Sequence, residues 1–285
     1  MTFGAAPILV RYATDVEPMV LAAMRTLFAV MMLAPFWFVK RKSLPELKTS
    51  GVSLPMMMLA GIGLGIHFTF WVASLHYTSV ASASVLVTIH PVMLIIAESL
   101  IFRKRYRPIV WAGVIMACFG SVLLGIADSG SDGGQPNPML GNSLAFAAAV
   151  VFVFYFMIGR QLRQNAEWID YVFHVYLYAT ITCIILTLVW VGGWPYLSVS
   201  AVLIGIALAL GPTILGHGSM NYAVKYISPT ILSTLILSEA VIAAIAAYFL
   251  FDELPTALAI VAMAVIITGV GVGWAKRREE VRAEV

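Results

Sequence analysis

The sequence predicts an all-α membrane protein of ten transmembrane helices, built as two inverted five-helix repeats. Three observations lead there: an extreme apolar composition, ten apolar runs set apart by polar punctuation, and a one-sided placement of basic residues. The chain has 285 residues, 61% apolar and only 11% charged, with a mean hydropathy of +0.95. A soluble domain is about 45–50% apolar and about 25% charged, and has nowhere to hide this much hydrocarbon. The composition therefore excludes a disordered chain, a secreted disulfide scaffold and a nucleic-acid-binding domain. A net charge of +3 is too small to call for a polyanionic partner. Cys118 and Cys183 lie inside apolar runs without metal-type spacing, which makes them buried thiols rather than a disulfide or metal ligands.

The runs fall at about 2–13, 18–39, 51–76, 79–102, 108–127, 139–158, 170–192, 198–220, 228–251 and 255–275. A spanning helix needs about 20 apolar residues. The first run reaches only about 18 Å against a bilayer core of about 30 Å, so the helix is either a half-span or, the favoured expectation, lacks its start. It leads into the next span without a small-residue cleavage site, so it does not read as a signal peptide. The second run closes on Lys40-Arg41-Lys42 and Lys48, and the third is followed closely by the fourth, which closes on Arg103-Lys104-Arg105 and Arg107. The fifth ends at Asp128; the sixth closes on Arg160 and Arg163; the seventh and eighth lead to Lys225. The ninth ends at Asp252-Glu253, and the tenth runs into Lys276-Arg277-Arg278 and Arg282.

Fifteen of the 17 Lys and Arg residues thus occupy alternate connections. The opposite connections carry Asp15, Glu17, Asp128, Asp132, Asp252 and Glu253 and no basic residue. Positive-inside bias makes the basic set cytoplasmic, which places both termini inside and requires ten spans. The expected setting is a bacterial inner membrane.

Residues 128–138, rich in Gly, Pro and Ser, form an external linker between two halves, 1–127 and 139–275, with a basic cytoplasmic tail at 276–285. An offset of 149 residues superimposes the halves without gaps: Arg11 on Arg160, Tyr77 on Tyr226, Ser79 on Ser228, Ser84 on Ser233, Leu86 on Leu235, Ala97 on Ala246, Phe102 on Phe251 and Gly120 on Gly269. Five helices per half is odd, so the second copy must enter the membrane upside down. The charges agree, since inner Arg103-Lys104 aligns with outer Asp252-Glu253. Such inverted repeats characterise secondary transporters, whose substrate site lies near the midplane between the copies.

The runs Gly4–Arg11 and Pro18–Arg25, the segment His67–Pro91 and the stretch Gly113–Gly125 resemble the EamA family of the drug/metabolite transporter superfamily, and Asn221–Ser233, Asp252-Glu253-Leu254 and Gly269 repeat the pattern. The resemblance covers essentially the whole chain with loose motifs, informative on family and poor on substrate. It implies ten helices in two inverted repeats and export of small metabolites, prominently amino acids, with YddG-type aromatic amino-acid exporters the favoured branch. The chain departs from the pattern in its short first helix and at Arg103-Lys104, where the first repeat often carries Gly-Glu.

Polar side chains at membrane depth are costly and point to function. Glu239, beside Ser238 in the ninth span, and His90, beside Pro91 in the fourth, are equivalent at the offset of 149. They are expected either to face each other across a cavity or to lock two helices by a hydrogen bond. His67, Phe70, Trp71 and Ser74 form one helical stripe, a pathway lining or a packed core. His217 with Asn221, and His174 with Tyr178, are smaller polar pairs at helical spacing. Arg25 is the only Lys or Arg well inside a span. It either anchors a substrate carboxylate or, the favoured expectation, snorkels outward toward Asp15 and Glu17. Glu98 is expected to meet the basic cluster at 103–107. Pro91 and Pro212 are candidate hinges. Gly61-Ile-Gly-Leu-Gly65 and Gly269-Val-Gly-Val-Gly273 read as close helix contacts rather than phosphate loops.

No cofactor or metal is expected, and neither a His-Glu-x-x-His nor a Gly-x-Ser-x-Gly motif supports an intramembrane enzyme. A receptor would leave the repeat unexplained. The sequence thus points to a secondary exporter working by alternating access around a midplane cavity, with aromatic or neutral amino acids preferred and another small metabolite or drug-like amphiphile as the alternative. Partners are a small solute and the bilayer, as a monomer or a homodimer. Coupling to protons through His90 and Glu239, or none, both fit.

Overall fold

Apolar runs bounded by Pro, Ser or charged residues become helices because a chain in lipid must satisfy every backbone N–H and C=O internally. The computed structural model of the chain describes residues 6, 9–10, 13, 16–43, 53–78, 83, 86–87, 89–128, 137–193, 195–238, 241–242, 245, 249 and 256–283. Within them every element is helical: α1 (Pro18–Ser43), α2 (Leu54–Tyr77), α3 (His90–Ile101), α4 (Pro108–Asp128), α5 (Pro138–Leu162), α6 (Trp168–Val191), α7 (Val199–Leu208), a π-helix (Ala209–Gly218), α8 (Ser219–Ala223), α9 (Pro229–Ile236) and α10 (Ala257–Ala283). Five helices, among them the continuous rod Val199–Ala223, are long and apolar enough to cross a bilayer. Side chains such as Phe36, Phe154, Val189 and Leu203 stand exposed along them, as do Leu100 and Phe119 on α3 and α4, which water would not tolerate in such number. Most of the expected first span, the external linker and part of the ninth span lie outside the described residues.

The helices gather into two compact units that cut across the sequence halves: residues 1–73 with 154–226, and residues 74–153 with 227–285. In the first unit α1 and α6 run antiparallel. Trp37 Nε1 donates to Asp170 Oδ1 (2.8 Å) and stacks on Phe173 at one end, while Thr187 Oγ1 donates to the Met19 carbonyl (3.1 Å) at the other. α7 lies parallel to α1, with Val20, Leu21 and Met24 packed against Ala201 and Leu208. α2 lies parallel to α6 at a separation only glycine permits: a Cβ on Gly61 would sit 2.6 Å from Tyr178 Cβ, and one on Gly65 would sit 2.7 Å from Thr182 Cβ. The first glycine stripe is therefore a helix contact, as its spacing suggested.

In the second unit α4 and α10 run antiparallel in close contact. A Cβ on Gly120 would meet Ile266 (2.8 Å) and the Ala262 carbonyl (3.0 Å), and a Cβ on Gly269 would meet Ala117 and the Gly113 carbonyl (2.8 Å). Leu124, Leu237, Ala259, Ala262 and Ile266 complete that core, and Ile95 packs on Val110 and Val114 to hold α3 against α4.

Candidate functional site

The first unit gathers its polar side chains around the π-helix. Pro212 has no N–H to give the Leu208 carbonyl, and the Thr213 hydroxyl takes that place, donating to Leu208 O at 2.9 Å. The wider π turn results, a geometry frequent at functional sites. Two side chains of α6 satisfy further carbonyls of the segment: Tyr176 OH donates to Thr213 O (2.8 Å) and Trp168 Nε1 to Gly218 O (2.9 Å).

Arg25 enters this cluster. Its side chain is 4% exposed, its Nε donates to Thr213 Oγ1 (3.0 Å), and its guanidinium carbon lies 4.1 Å from the centre of the Phe68 ring. The expected outward reach toward Glu17 is thus corrected: the side chain turns inward, where a hydroxyl and an aromatic face receive it. Asp15 lies outside the described residues. No carboxylate pairs with Arg25 among the described residues. His217 packs edge-on against the other partner of the cluster, Phe68, with ring centres 4.9 Å apart, and His67 is buried beside it with ring centres 5.5 Å from Phe68. Phe70 and Trp71 are half-buried.

Asn221 and His217 do not act as a pair. Asn221 is fully buried, its Oδ1 accepts from Tyr155 OH (2.7 Å) and its backbone carbonyl accepts from Arg163 Nε (2.9 Å). Burial lowers the Arg163 pKa at this turn. Arg160 Nη1 bonds the Val224 and Lys225 carbonyls, so two arginines close the end of α8. The expected His174–Tyr178 pair is likewise replaced. His174 Nδ1 lies 3.4 Å from Asp170 Oδ1, one turn earlier, and packs against Trp37, while Tyr178 faces Gly61.

In the second unit His90 is buried at the start of α3, with Nδ1 2.6 Å from the Val87 carbonyl and Nε2 without a partner; Pro91 occupies the first turn of the helix, where its missing N–H costs nothing. Glu239 lies outside the described residues. Ser238 Oγ donates to Leu235 O (2.6 Å), and Ser74 is buried, its carbonyl accepting from Thr78 N (2.9 Å). Glu98, 2% exposed, meets the basic loop as expected through Lys104 (3.5 Å), but its stronger partners come from elsewhere. Its Oε2 accepts from Tyr106 OH (2.6 Å), Thr230 N (3.0 Å) and Thr230 Oγ1 (2.6 Å), so it caps α9 from another helix. Burial, then the Glu98 charge, pushes the Tyr106 phenol well above its usual range. An open cleft of about 630 Å³ is lined by Leu86, Met139, Asn142, Ser143 and Phe146, none of them a candidate site residue from the sequence.

Sequence reasoning missed Phe68, Thr213 and Tyr176 around Arg25, and Tyr155 and Arg163 around Asn221. The available signal was polar residues interrupting apolar spans, Thr213 directly after Pro212 above all.

Long apolar helices with lipid-facing hydrophobic surface and buried polar clusters define a multi-pass membrane protein. The chain belongs to the EamA-like transporter family, whose model matches it twice, over residues 1–126 and 139–272. It is a membrane transporter of small molecules with a two-repeat architecture. A solved structure described only as a crystal structure of protein shares the fold, with a TM-score of 0.81 and 19% identity over 98% of this chain and 94% of that one. No curated protein matches the chain.

Proposed function

We propose that the protein exports a small carboxylate-bearing amphiphile, an aromatic or other neutral amino acid, by alternating access between two inverted repeats. The observation that carries the substrate class is Arg25: a guanidinium buried without an acidic partner among the described residues, its Nε held by Thr213 and its central carbon over the Phe68 ring. A guanidinium fixed at Nε still offers its terminal N–H groups to a carboxylate.

The offset of 149 supports the inversion. Subtracting it from 266, 262 and 269 gives 117, 113 and 120, so Gly120 meets Ile266 and Ala262 while its equivalent Gly269 meets Ala117 and Gly113. That exchange of partners is what a two-fold axis would produce. Likewise 217 less 149 is 68, and Phe68 and His217 touch each other, as equivalent residues do only beside the axis. Equivalent helices α4 and α10, and α1 and α6, run antiparallel, which suits an axis lying in the membrane plane. Arg25 stands on Phe68, so the carboxylate site falls near that axis.

His67, Phe70, Trp71, Ser74, Tyr178, His217 and Asn221 belong in this reading to the substrate path, with Pro91 and Pro212 as its hinges. His90, Ser238 and Glu239 are taken in the same reading as substrate-binding residues, and Glu239→Gln should abolish any response of efflux to a pH gradient. The test of the substrate class is counterflow in liposomes with radiolabelled amino acids, purines and sugars. Exchange of aromatic or neutral amino acids, lost at least tenfold in Arg25→Lys because an ammonium cannot hold a carboxylate in two-point fashion, is expected. Exchange confined to purines or sugars, or equal in Arg25→Lys, overturns the reading.

A further inference from the structure

The loop Arg103–Arg107 joins α3 to α4 where the apolar spans end, and it is built rigidly. Lys104 N donates to the Glu98 carbonyl (3.3 Å), Lys104 Nζ pairs with the Glu98 carboxylate, and Tyr106 OH bonds the same carboxylate from the other side. Those bonds consume Lys104 and Tyr106. Arg103, Arg105 and Arg107 are exposed, and among the described residues none of their side chains makes a hydrogen bond, ion pair or cation–π contact. The basic cluster after α1 differs, since Lys40 pairs with Glu167 and Arg41 lies over Trp37.

Arg103 also occupies a backbone position made for glycine. Its φ is +53°, the left-handed region, and it is the only non-glycine residue with positive φ among those described. An L side chain there is unfavourable where glycine would be free of strain. A cation placed at such a position, on a loop fixed by a buried carboxylate, implies that the charge itself is used. Directly beneath it Leu100, Ile101 and Phe102 are exposed at the end of α3, an apolar ledge below a cationic rim.

We propose that Arg103, Arg105 and Arg107 form a binding site for the phosphate headgroup of an anionic phospholipid, with the acyl chains lying along Leu100 and Ile101. The charge sign, the unpaired guanidinium groups and the adjoining lipid-facing hydrocarbon all select this occupant over a soluble one. An anionic surface attracts each nearby arginine by about fivefold in affinity, so three together give on the order of a hundredfold.

The test titrates phosphatidylglycerol into the full-length protein in a neutral detergent with phosphatidylcholine, reading the thermal unfolding midpoint. Wild type should be stabilised by phosphatidylglycerol and less so at high salt. Arg103→Gly should fold at least as well as wild type in phosphatidylcholine, because glycine relieves the left-handed residue, yet bind phosphatidylglycerol about fivefold more weakly. The triple Arg103→Gln, Arg105→Gln, Arg107→Gln variant should lose about a hundredfold, and Lys42→Gln should stay within twofold of wild type. If Arg103→Gly binds as wild type does, if Lys42→Gln falls equally, or if inorganic phosphate gives the same stabilisation, the site is refuted. Arg103→Gly keeps the test decisive should the triple variant fail to fold.

Discussion

The contact between α4 and α10 gives a sharp test of the repeat. Replacing Gly120 by Ala places a Cβ 2.8 Å from the backbone N and Cγ1 of Ile266, and replacing Gly269 places one at 2.8 Å from the Gly113 carbonyl. Backbone cannot rotate away as a side-chain tip can, so the helices must separate by several tenths of an ångström over a tightly packed stripe. Overpacking of this kind costs about 1–3 kcal/mol, against about 1 kcal/mol gained when alanine replaces glycine inside a helix. Each variant should therefore lose about 1 kcal/mol, and the two losses should be equal, because the two contacts are copies of one another. Once the first alanine has parted the helices the second costs less, so the double variant should fall short of additivity by about 0.5–1 kcal/mol. Gly271, on the same helix with nothing within 4 Å of its would-be Cβ, is the control, and Gly271→Ala should be neutral or stabilising. Unfolding in mixed micelles, followed by tryptophan fluorescence, measures all four. Gly120→Ala behaving like Gly271→Ala, or losses at 120 and 269 differing by much more than about 1 kcal/mol, would defeat the argument.

Glu98→Gln should cost about 2–3 kcal/mol in the same assay, since three bonds to one buried carboxylate oxygen each lose about 1 kcal/mol of charge assistance, while the half-exposed Lys104 pair adds little; an unchanged midpoint would show that the carboxylate is not the cap of α9. Tyr106→Phe should cost about 1.5–3 kcal/mol near neutral pH through the lost bond to Glu98. Its folded-state pKa is raised, so the folded form keeps its proton where the unfolded phenol loses it, and the advantage of wild type over Tyr106→Phe should shrink as pH rises above about 10. Unfolding midpoints across an alkaline series check the sign. Thr213→Val should weaken transport more than stability: it takes from Arg25 its one side-chain acceptor among the described residues and removes the hydroxyl bond to the Leu208 carbonyl, so KM in counterflow should rise several-fold while the unfolding free energy falls by about 1 kcal/mol.

Much of this architecture is written in local pattern. Apolar runs and their punctuation fix the helices, and Gly61, Gly65, Gly120 and Gly269 announce close contacts because only a missing Cβ explains small residues at helical spacing in lipid. The Glu98–Lys104 pair is legible because both ends lie within one turn of the loop. Its stronger partner, Thr230, stands 132 residues away and becomes a neighbour only through packing. The same limit hides the fate of Arg25. From sequence, an arginine two turns into a span has water as its nearest alternative, and only the π turn, which carries Thr213 to it across 188 residues, makes the inward rotamer competitive. His174 is a different case. Asp170, one turn earlier on the same helix, is a partner equally legible in the sequence.

The polar residues of the first unit follow the repeat in position but not in chemistry. The residue equivalent to Arg25 at the offset of 149 is His174, which packs against Trp37 and pairs with Asp170 instead of standing over an aromatic ring unopposed. Phe68 is likewise matched by His217. Gly120 and Gly269 exchange partners as the proposed two-fold relation requires, because backbone packing is indifferent to which copy supplies it. A small asymmetric solute is not indifferent, and the proposed site beside the axis would have to break the symmetry to distinguish its charged end from its apolar end. The buried guanidinium is the costliest of the departures. A cation–π contact of about 2 kcal/mol and one hydrogen bond offset only part of the several kcal/mol that burying a charge takes. In the proposed reading a solute carboxylate arriving at Arg25 would supply the remainder, and the cost of burying the guanidinium would return as binding free energy for the substrate.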